Sequence, residues 1–403
     1  MTTIPSVTFV TGKVKSIRIE SIDLLRGVVM IIMALDHVRD YFHADAYLFS
    51  PTDLTQTNVP LFFTRWITHF CAPVFVFLAG TSAFLVGSRK GKNELSAFLF
   101  KRGLWLIVLE FTVINFSWFF NVHFSFIALT VIWGLAIGMI LLAAAVHLPF
   151  NMLLVLGLLL VAGHNLFDSV RITGDATIAN VWAVLHVPDV FQLGHFKFFT
   201  GYPILPWAGI MILGYCFGTL YKPSFDALKR KKILLQLGSG MILLFVVIRF
   251  INSYGDPHPW SVQSNAVFTF LSFINVTKYP PSLLYVLITL GPSMIFLALS
   301  EKMIGQFSQY IIALGRVPMF FYIIHIYFIH ILALMAAIAT GYSASDMTFT
   351  TWVTDSVNLK GYGFNLGVTY LVWASVVLVL YPVCLWYDRY KTSHKEKWWL
   401  SYL

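Results

Sequence analysis

Apolar residues run through this chain in long stretches separated by short polar clusters. A helix of about 20 apolar residues crosses the ~30 Å hydrocarbon core of a bilayer. On that measure the pattern predicts ten spanning helices, over 23–43, 66–87, 98–117, 124–146, 150–166, 203–221, 233–252, 281–300, 317–340 and 366–387. The fifth is short, and 303–316 reads as a partial or surface helix that would make eleven. The expected fold is therefore all-α, a polytopic integral membrane helical bundle. One transmembrane domain covers 23–387, between an amino-terminal segment, 1–22, and a tail, 388–403.

The first span breaks the apolar pattern in an ordered way. In IDLLRGVVMIIMALDHVRDYFH, from Ile22, ionisable groups gather at both ends and no Pro interrupts. Ionisable side chains are costly inside a bilayer, so their presence in a span marks a functional candidate. Arg26 and His37 are eleven residues apart, which is about 20° past three full turns and ~16 Å along the axis. Asp23 lies roughly 40° to one side of His37 on the helical wheel and Asp40 about 60° to the other. One stripe thus carries a carboxylate and a guanidinium near one membrane surface, and an imidazole with a carboxylate towards the other. Such a stripe suits a reaction that takes a group in on one side and delivers it on the other.

Composition removes the soluble alternative. The chain is 58% hydrophobic and 11% charged, with a mean hydropathy of +0.77, against about a quarter charged in an ordinary soluble protein. The net charge of +9 lies in short clusters between apolar stretches, which does not fit a nucleic-acid-binding domain. Cys71, Cys216 and Cys384 fall inside apolar segments and are expected to be free thiols. The first 22 residues are polar and lack the apolar core of a cleavable signal.

Charge also sets an orientation. Basic residues concentrate on the cytoplasmic side of a membrane protein. In a ten-span arrangement, the clusters at Lys13–Arg18, Arg89–Arg102, Lys222–Lys232, Lys302 and Arg389–Lys397 share one side, eighteen Lys and Arg in all. Six, including Arg65, Arg249 and Lys278, occupy the longer loops opposite. Both termini are therefore expected in the cytoplasm, with 44–65, 167–202, 253–280 and 341–365 outside.

Among individual groups His37 leads, as a general base or as a transient carrier of an acyl group, against the plainer reading of an interhelical hydrogen-bonded histidine. Asp40 would orient its imidazole as a carboxylate does in a catalytic triad. Alternatively, Arg39 neutralises Asp36 in a structural ion pair at the helix end. His43 is the rival, unless it only anchors the helix end. His69 lies beside Pro73, which loosens its helix, and is a third histidine for the same cavity. Arg26 suits phosphate, since a guanidinium grips phosphate oxygens in a fixed fork; otherwise Arg26 and Asp23 only cap the helix. Lys278, in KYPPSLLYVLITLGP, is either an interfacial lysine or a rim residue holding an acceptor or a cofactor tail. Glu110 and Asn115 lie inside the third span. His325 and His330 stand about 140° apart on one helix, so they make no metal pair; His325 reads as cavity-facing and His330 as interhelical. His164, His186, His195 and His258 are too dispersed along the chain to assign. HExxH, CxxC, GxSxG, Walker and GxGxxG motifs do not occur, and no metal is expected.

RIESIDLLRGVVMIIMALDHVRDYFH, from Arg18, followed by THFCAPVFVFLAGTSAFL, from Thr68, resembles the heparan-alpha-glucosaminide N-acetyltransferase catalytic-domain family, in its bacterial uncharacterised branch. KYPPSLLYVLITLGP and ALGRVPMFFYIIHIYFIH, from Ala313, look like later blocks of that branch. The spacing of Arg26 and His37 is also similar to an arginine–histidine pattern of the wider transmembrane acyltransferase superfamily. The resemblance implies acetyl transfer from cytosolic acetyl-CoA to an amino sugar across the membrane, and matches Asp23 and Arg26 to the family's SxDxxRG block. At the far end of the helix the pattern departs. The family's histidine falls nearer His43, and an Asp stands where this chain has His69.

Together these readings describe an acetyl-CoA-dependent acyltransferase of the cell membrane, acting on a glycan or amino-sugar amine or hydroxyl. The catalytic candidates are His37, Asp40, His43 and His69; the cofactor-binding candidates are Asp23, Arg26 and Lys278. Expected partners are the lipid bilayer, acetyl-CoA and the acceptor, with no nucleic acid and with a homodimer left open. A proton-coupled transporter of a small solute is the alternative.

Overall fold

The computed structural model describes residues 19–172, 176–301, 305–394, 396–397 and 400. Lys13, Lys15, Arg18, Lys302 and Lys395, and most of the 1–22 segment, lie outside the described residues.

The described chain is an all-α membrane-type bundle with one small sheet. Its helices are α1 (Glu20–Phe42), α2 (Val59–Ile67), α3 (Cys71–Gly87), α4 (Lys92–Leu109), α5 (Asn115–Phe119), α6 (Val131–Ala145), α7 (Phe150–Gly163), α8 (Ala176–Leu185), α9 (Ile204–Phe217), α10 (Ala227–Ile251), α11 (Ala266–Ile274), α12 (Leu283–Ser300), α13 (Gln306–Gly315), α14 (Pro318–Ala339) and α15 (Leu366–Ser393). Strands β1 (Phe126–Leu129), β2 (Val190–Leu193) and β3 (Phe196–Thr200) pair in the order β1-β3-β2, with β1 parallel and β2 antiparallel to β3. All three cysteines are buried free thiols.

Among the described residues, seven helices are long and apolar enough to cross a membrane: 59–87, 150–167, 204–221, 227–251, 283–300, 318–339 and 366–393. Three of the ten expected spans differ for distinct reasons. The first, α1, is long enough, but Asp23, Arg26, Asp36, Arg39 and Asp40 lower its hydropathy. The third is interrupted by a π-turn over Glu110–Ile114. The fourth is shortened because its first residues form β1. Apolar runs of this length fit strand or helix equally well, and a distant residue decides here. The Asn115 side chain accepts from the Ala128 amide at 2.7 Å and donates to the Ala128 carbonyl at 3.0 Å. The segment 303–316 contains α13, a ten-residue helix.

Helix α1 is the axis of the bundle. Eighteen of its 23 residues are buried, and it packs against α3, α12, α13, α14 and α15. Small residues let backbones meet, as they do in membrane helix pairs generally. A Cβ on Gly315 would sit 1.9 Å from the Asp23 carbonyl, and one on Gly27 would sit 2.1 Å from that of Ile311, so α13 lies directly on the amino-terminal half of α1. Gly80 and Gly214 bring α3 and α9 together in the same way. The carboxy-terminal half of α15 reaches the same end of the bundle, where Arg316 pairs with Asp388 at 3.6 Å. At the other end Phe364 clasps the α1 terminus, donating to Phe42 O at 2.7 Å and accepting from Ala44 N at 3.0 Å.

Candidate functional site

The α1 stripe lines two cavities in succession. The first, of about 290 Å3, opens around the amino-terminal half of α1 and is lined by Arg26, Met30 and Met33 of that helix. Four cations stand on its wall, Arg26, Arg102, Arg316 and Lys391, with an apolar interior of Phe75, Leu135 and Met139. Arg26 is held in place: it donates to Asp23 Oδ1 at 2.9 Å, to the Gly315 carbonyl at 3.2 Å and to Ser82 Oγ at 3.2 Å.

The second cavity, of about 510 Å3, begins one turn further along the stripe. Asp36, His37, Arg39 and Asp40 line it from α1, with Arg65, Thr130, Tyr202, Lys278 and Tyr279 around them. Val131 and Tyr322 line both cavities, so the two share a wall there. His37 lines the second cavity beside that wall, its ring 6.1 Å from that of Tyr322.

The hydrogen bonds around His37 fix which of its nitrogens is free. His325 Nδ1 lies 2.7 Å from the Phe321 carbonyl, which can only accept, so Nδ1 carries the proton. His325 Nε2 is then an acceptor, and the nitrogen 2.7 Å from it, His37 Nδ1, must be the donor. The tautomer so assigned leaves His37 Nε2 with its lone pair and without a hydrogen-bond partner among the described residues. The ring is wedged edge-on against Trp118 at 4.7 Å and lies parallel to His325 at 4.9 Å. A neutral imidazole thus does the orienting that the sequence assigns to Asp40.

Asp40 is engaged elsewhere. It accepts from Arg39 Nη2 at 2.5 Å. Asp36 is the centre of the charged group: Arg65 Nη1 reaches its two oxygens at 2.7 and 2.6 Å, Thr68 Oγ1 donates at 2.8 Å, Arg39 lies at 2.8 Å and Lys278 at 3.9 Å. The Arg39–Asp36 ion pair read from the sequence therefore forms. It is one arm of a larger network that draws in the second helix and the loop before α12.

The other predicted residues disperse. His43 ends α1 and accepts the Asp45 amide at 3.2 Å, capping the turn that follows; it lines neither cavity. His69 is buried, its ring against Tyr285 at 5.4 Å, and lines neither cavity. Its Nδ1 has no partner among the described residues. Lys278 stands in the second cavity, at the far end of the stripe from Arg26. His330 is interhelical, bonded to the Ser117 and Met347 carbonyls at 2.9 and 2.8 Å. Glu110 accepts from the backbone amide and, at 3.2 Å, the hydroxyl of Thr130, and so holds a residue of the second cavity wall.

Sequence reasoning treats His325 as only weakly placed and does not single out Arg102, Arg316, Lys391 or Tyr322. His325 lies 288 residues from His37. Its only signal is an imidazole inside an apolar helix. Arg102 and Lys391 read as loop charge and Arg316 as the end of the 303–316 segment, and only the fold brings them to one cavity.

Comparison with curated proteins returns no match. The family model described as heparan-alpha-glucosaminide N-acetyltransferase, catalytic, matches residues 18–247, more than half of the chain. The match runs from α1 into α10 and includes the whole first-helix stripe, while Lys278 and His325 lie beyond it. With its membrane-type helices and its ionisable central helix, this chain belongs to the heparan-alpha-glucosaminide N-acetyltransferase catalytic family.

Proposed function

We propose that this membrane acetyltransferase takes the acetyl group of cytosolic acetyl-CoA through its first cavity and delivers it to a sugar amine or hydroxyl that enters the second. The carrying observation is the position of His37 at the shared wall, with Nε2 unprotonated. Both termini lie in the cytoplasm in this reading, which puts the four-cation cavity on the side where acetyl-CoA is found. Arg26, Arg102, Arg316 and Lys391 suit the phosphates of CoA, and the apolar interior suits its uncharged arm.

His37 acts as general base on the acceptor. Its Nε2 takes the proton from the acceptor N–H or O–H as the new bond forms at the acetyl carbonyl carbon. The C–S bond then breaks, and the thiolate collects the proton from the imidazolium. His325 keeps the ring in register throughout, through a hydrogen bond that is present in both protonation states of His37. The Asp36 carboxylate beside it offsets the transient positive charge. Lys278 and Tyr279, on the same wall, offer donors to the acceptor or to the oxyanion. Direct transfer is favoured over an acetyl-histidine, since it needs no stable acyl-imidazole.

The test is CoA release by the purified protein in detergent, with glucosamine as acceptor, for wild type and His37→Ala. A general base supplies about 10²- to 10⁴-fold, so the variant should lose that much kcat while retaining acetyl-CoA binding. Equal turnover by both proteins would overturn the assignment of His37. Accumulation of chemically unchanged glucosamine in proteoliposomes, without CoA release, would replace the enzyme by a transporter.

A further inference from the structure

The fold brings together two of the histidines that the sequence leaves dispersed. His164 follows α7 and His186 follows α8, and their nearest ring nitrogens, Nδ1 and Nε2, lie 3.3 Å apart. Asp168 Oδ1 is 3.7 Å from the same His186 Nε2. One donor atom from each of the three residues lies within 4.8 Å of the other two. A tetrahedral zinc ion with bonds of ~2.0–2.1 Å needs its donors about 3.3–3.4 Å apart. Two of the separations are therefore close to the required size before any adjustment.

For His164 and Asp168 the supporting contacts are those a metal ligand needs. His164 Nε2 lies 3.0 Å from the Pro281 carbonyl, which places the proton on Nε2 and leaves Nδ1 as a lone pair towards His186. Asp168 Oδ2 accepts from Asn165 at 2.7 Å, and Asn165 in turn accepts the Leu283 amide at 2.9 Å. Asp168 Oδ1, by contrast, is buried and has no hydrogen-bond partner among the described residues, and His186 Nδ1 is in the same condition. An orphaned carboxylate oxygen beside two imidazoles is a set of donors awaiting a cation. Metal-free, the proton on His186 Nε2 goes to the His164 carbonyl at 2.8 Å. With metal on Nε2, the neutral ring carries that proton at Nδ1. Two neutral imidazoles and one carboxylate are a donor set that zinc favours. The Asp168 side chain is 15% exposed, which leaves a route for the ion and a place for a water ligand.

We propose that His164, Asp168 and His186 bind one divalent transition-metal ion, zinc by donor preference. The ion fastens the end of α7 to the end of α8 and, through Pro281 and Leu283, to the start of α12. None of the three lines either cavity, so its work is structural. It steadies the wall from which Tyr202, Lys278 and Tyr279 face the second cavity.

The experiment is equilibrium dialysis of the full-length protein in detergent, stripped with a chelator and then exposed to zinc sulfate, with metal content and thermal midpoint as readouts. Wild type and His258→Ala, a nearby histidine outside the cluster, should each hold about one zinc per chain and melt at a higher temperature with zinc than without. His186→Ala and Asp168→Asn should bind at least about tenfold more weakly, the lower end of the loss usual at such sites, and show no zinc-dependent rise. Asp168→Asn preserves side-chain shape, and a monodisperse elution profile confirms that it is folded. Zinc binding by wild type no tighter than by folded Asp168→Asn, or no zinc held by wild type, would overturn the proposal.

Discussion

The two cavities along α1 use charge in opposite ways. In the first, four cations face a largely apolar interior, and the nearby carboxylates, Asp23 and Asp388, each lie beside one of them. In the second, Arg39, Arg65 and Lys278 converge on Asp36, and Arg39 also holds Asp40. An excess of cations over an apolar throat suits capture of a mobile, multiply charged anion. A nearly neutralised buried network attracts little and holds its members still. The first region is thus organised for binding and the second for positioning, and one helix carries both.

That contrast can be broken at its stiff end with the largest effect. Asp36→Ala would strand Arg65 in a buried site and leave Arg39 with Asp40 alone, and removing one partner of a buried pair typically costs about 3–5 kcal/mol. A strongly lowered thermal midpoint is expected, with activity lost alongside it. An unchanged midpoint would mean that the network is not what holds this end together. Next in size is His325→Phe, which keeps the ring and removes the acceptor for His37 Nδ1–H. Catalysis should fall by roughly 10- to 100-fold, short of the loss from removing the base itself. The pH profile of kcat should also move, a change that a purely structural role would not produce.

At the binding end the effects should be smaller and of another kind. Arg102→Gln should raise KM for acetyl-CoA by about tenfold, one charged hydrogen bond's worth, and leave kcat near wild type. A fall in kcat with unchanged KM would erase the distinction between the two regions. The smallest effect is expected for His43→Asn, where a side-chain acceptor still caps the turn. Activity within about twofold of wild type would confine catalysis to the stripe proper, whereas loss of turnover would move the base from His37 to His43.

What the sequence discloses about this site follows from the range of the interactions involved. The stripe was legible because helical periodicity is local: Arg26, His37 and Asp40 face the cavities as their spacing requires. The Arg39–Asp36 pair was legible for the same reason. The partner of His37 was not, because His325 comes from α14, and a pairing across that separation leaves no periodic trace. Asp40 was read as the orienting group because it is near in sequence, but Arg39 is nearer in space and carries the opposite charge. The fourth span was misread in part because FIAL is apolar in either conformation; the Asn115 amide that makes it a strand lies eleven residues before Phe126. His164 and His186 looked scattered because their meeting, across 22 residues of sequence, leaves no periodic trace.

The wall that Val131 and Tyr322 share has an electrical consequence. A protein that opened both cavities to each other would join the two aqueous phases and short-circuit the potential across its membrane, where each elementary charge is worth ~2.3 kcal/mol per 100 mV. In the transfer proposed above, each cavity opens to its own side, and the field would fall across the residues between them. The acetyl group is uncharged, and in that reaction it alone would pass. A donor made inside would then modify a molecule outside with no loss of an ion gradient.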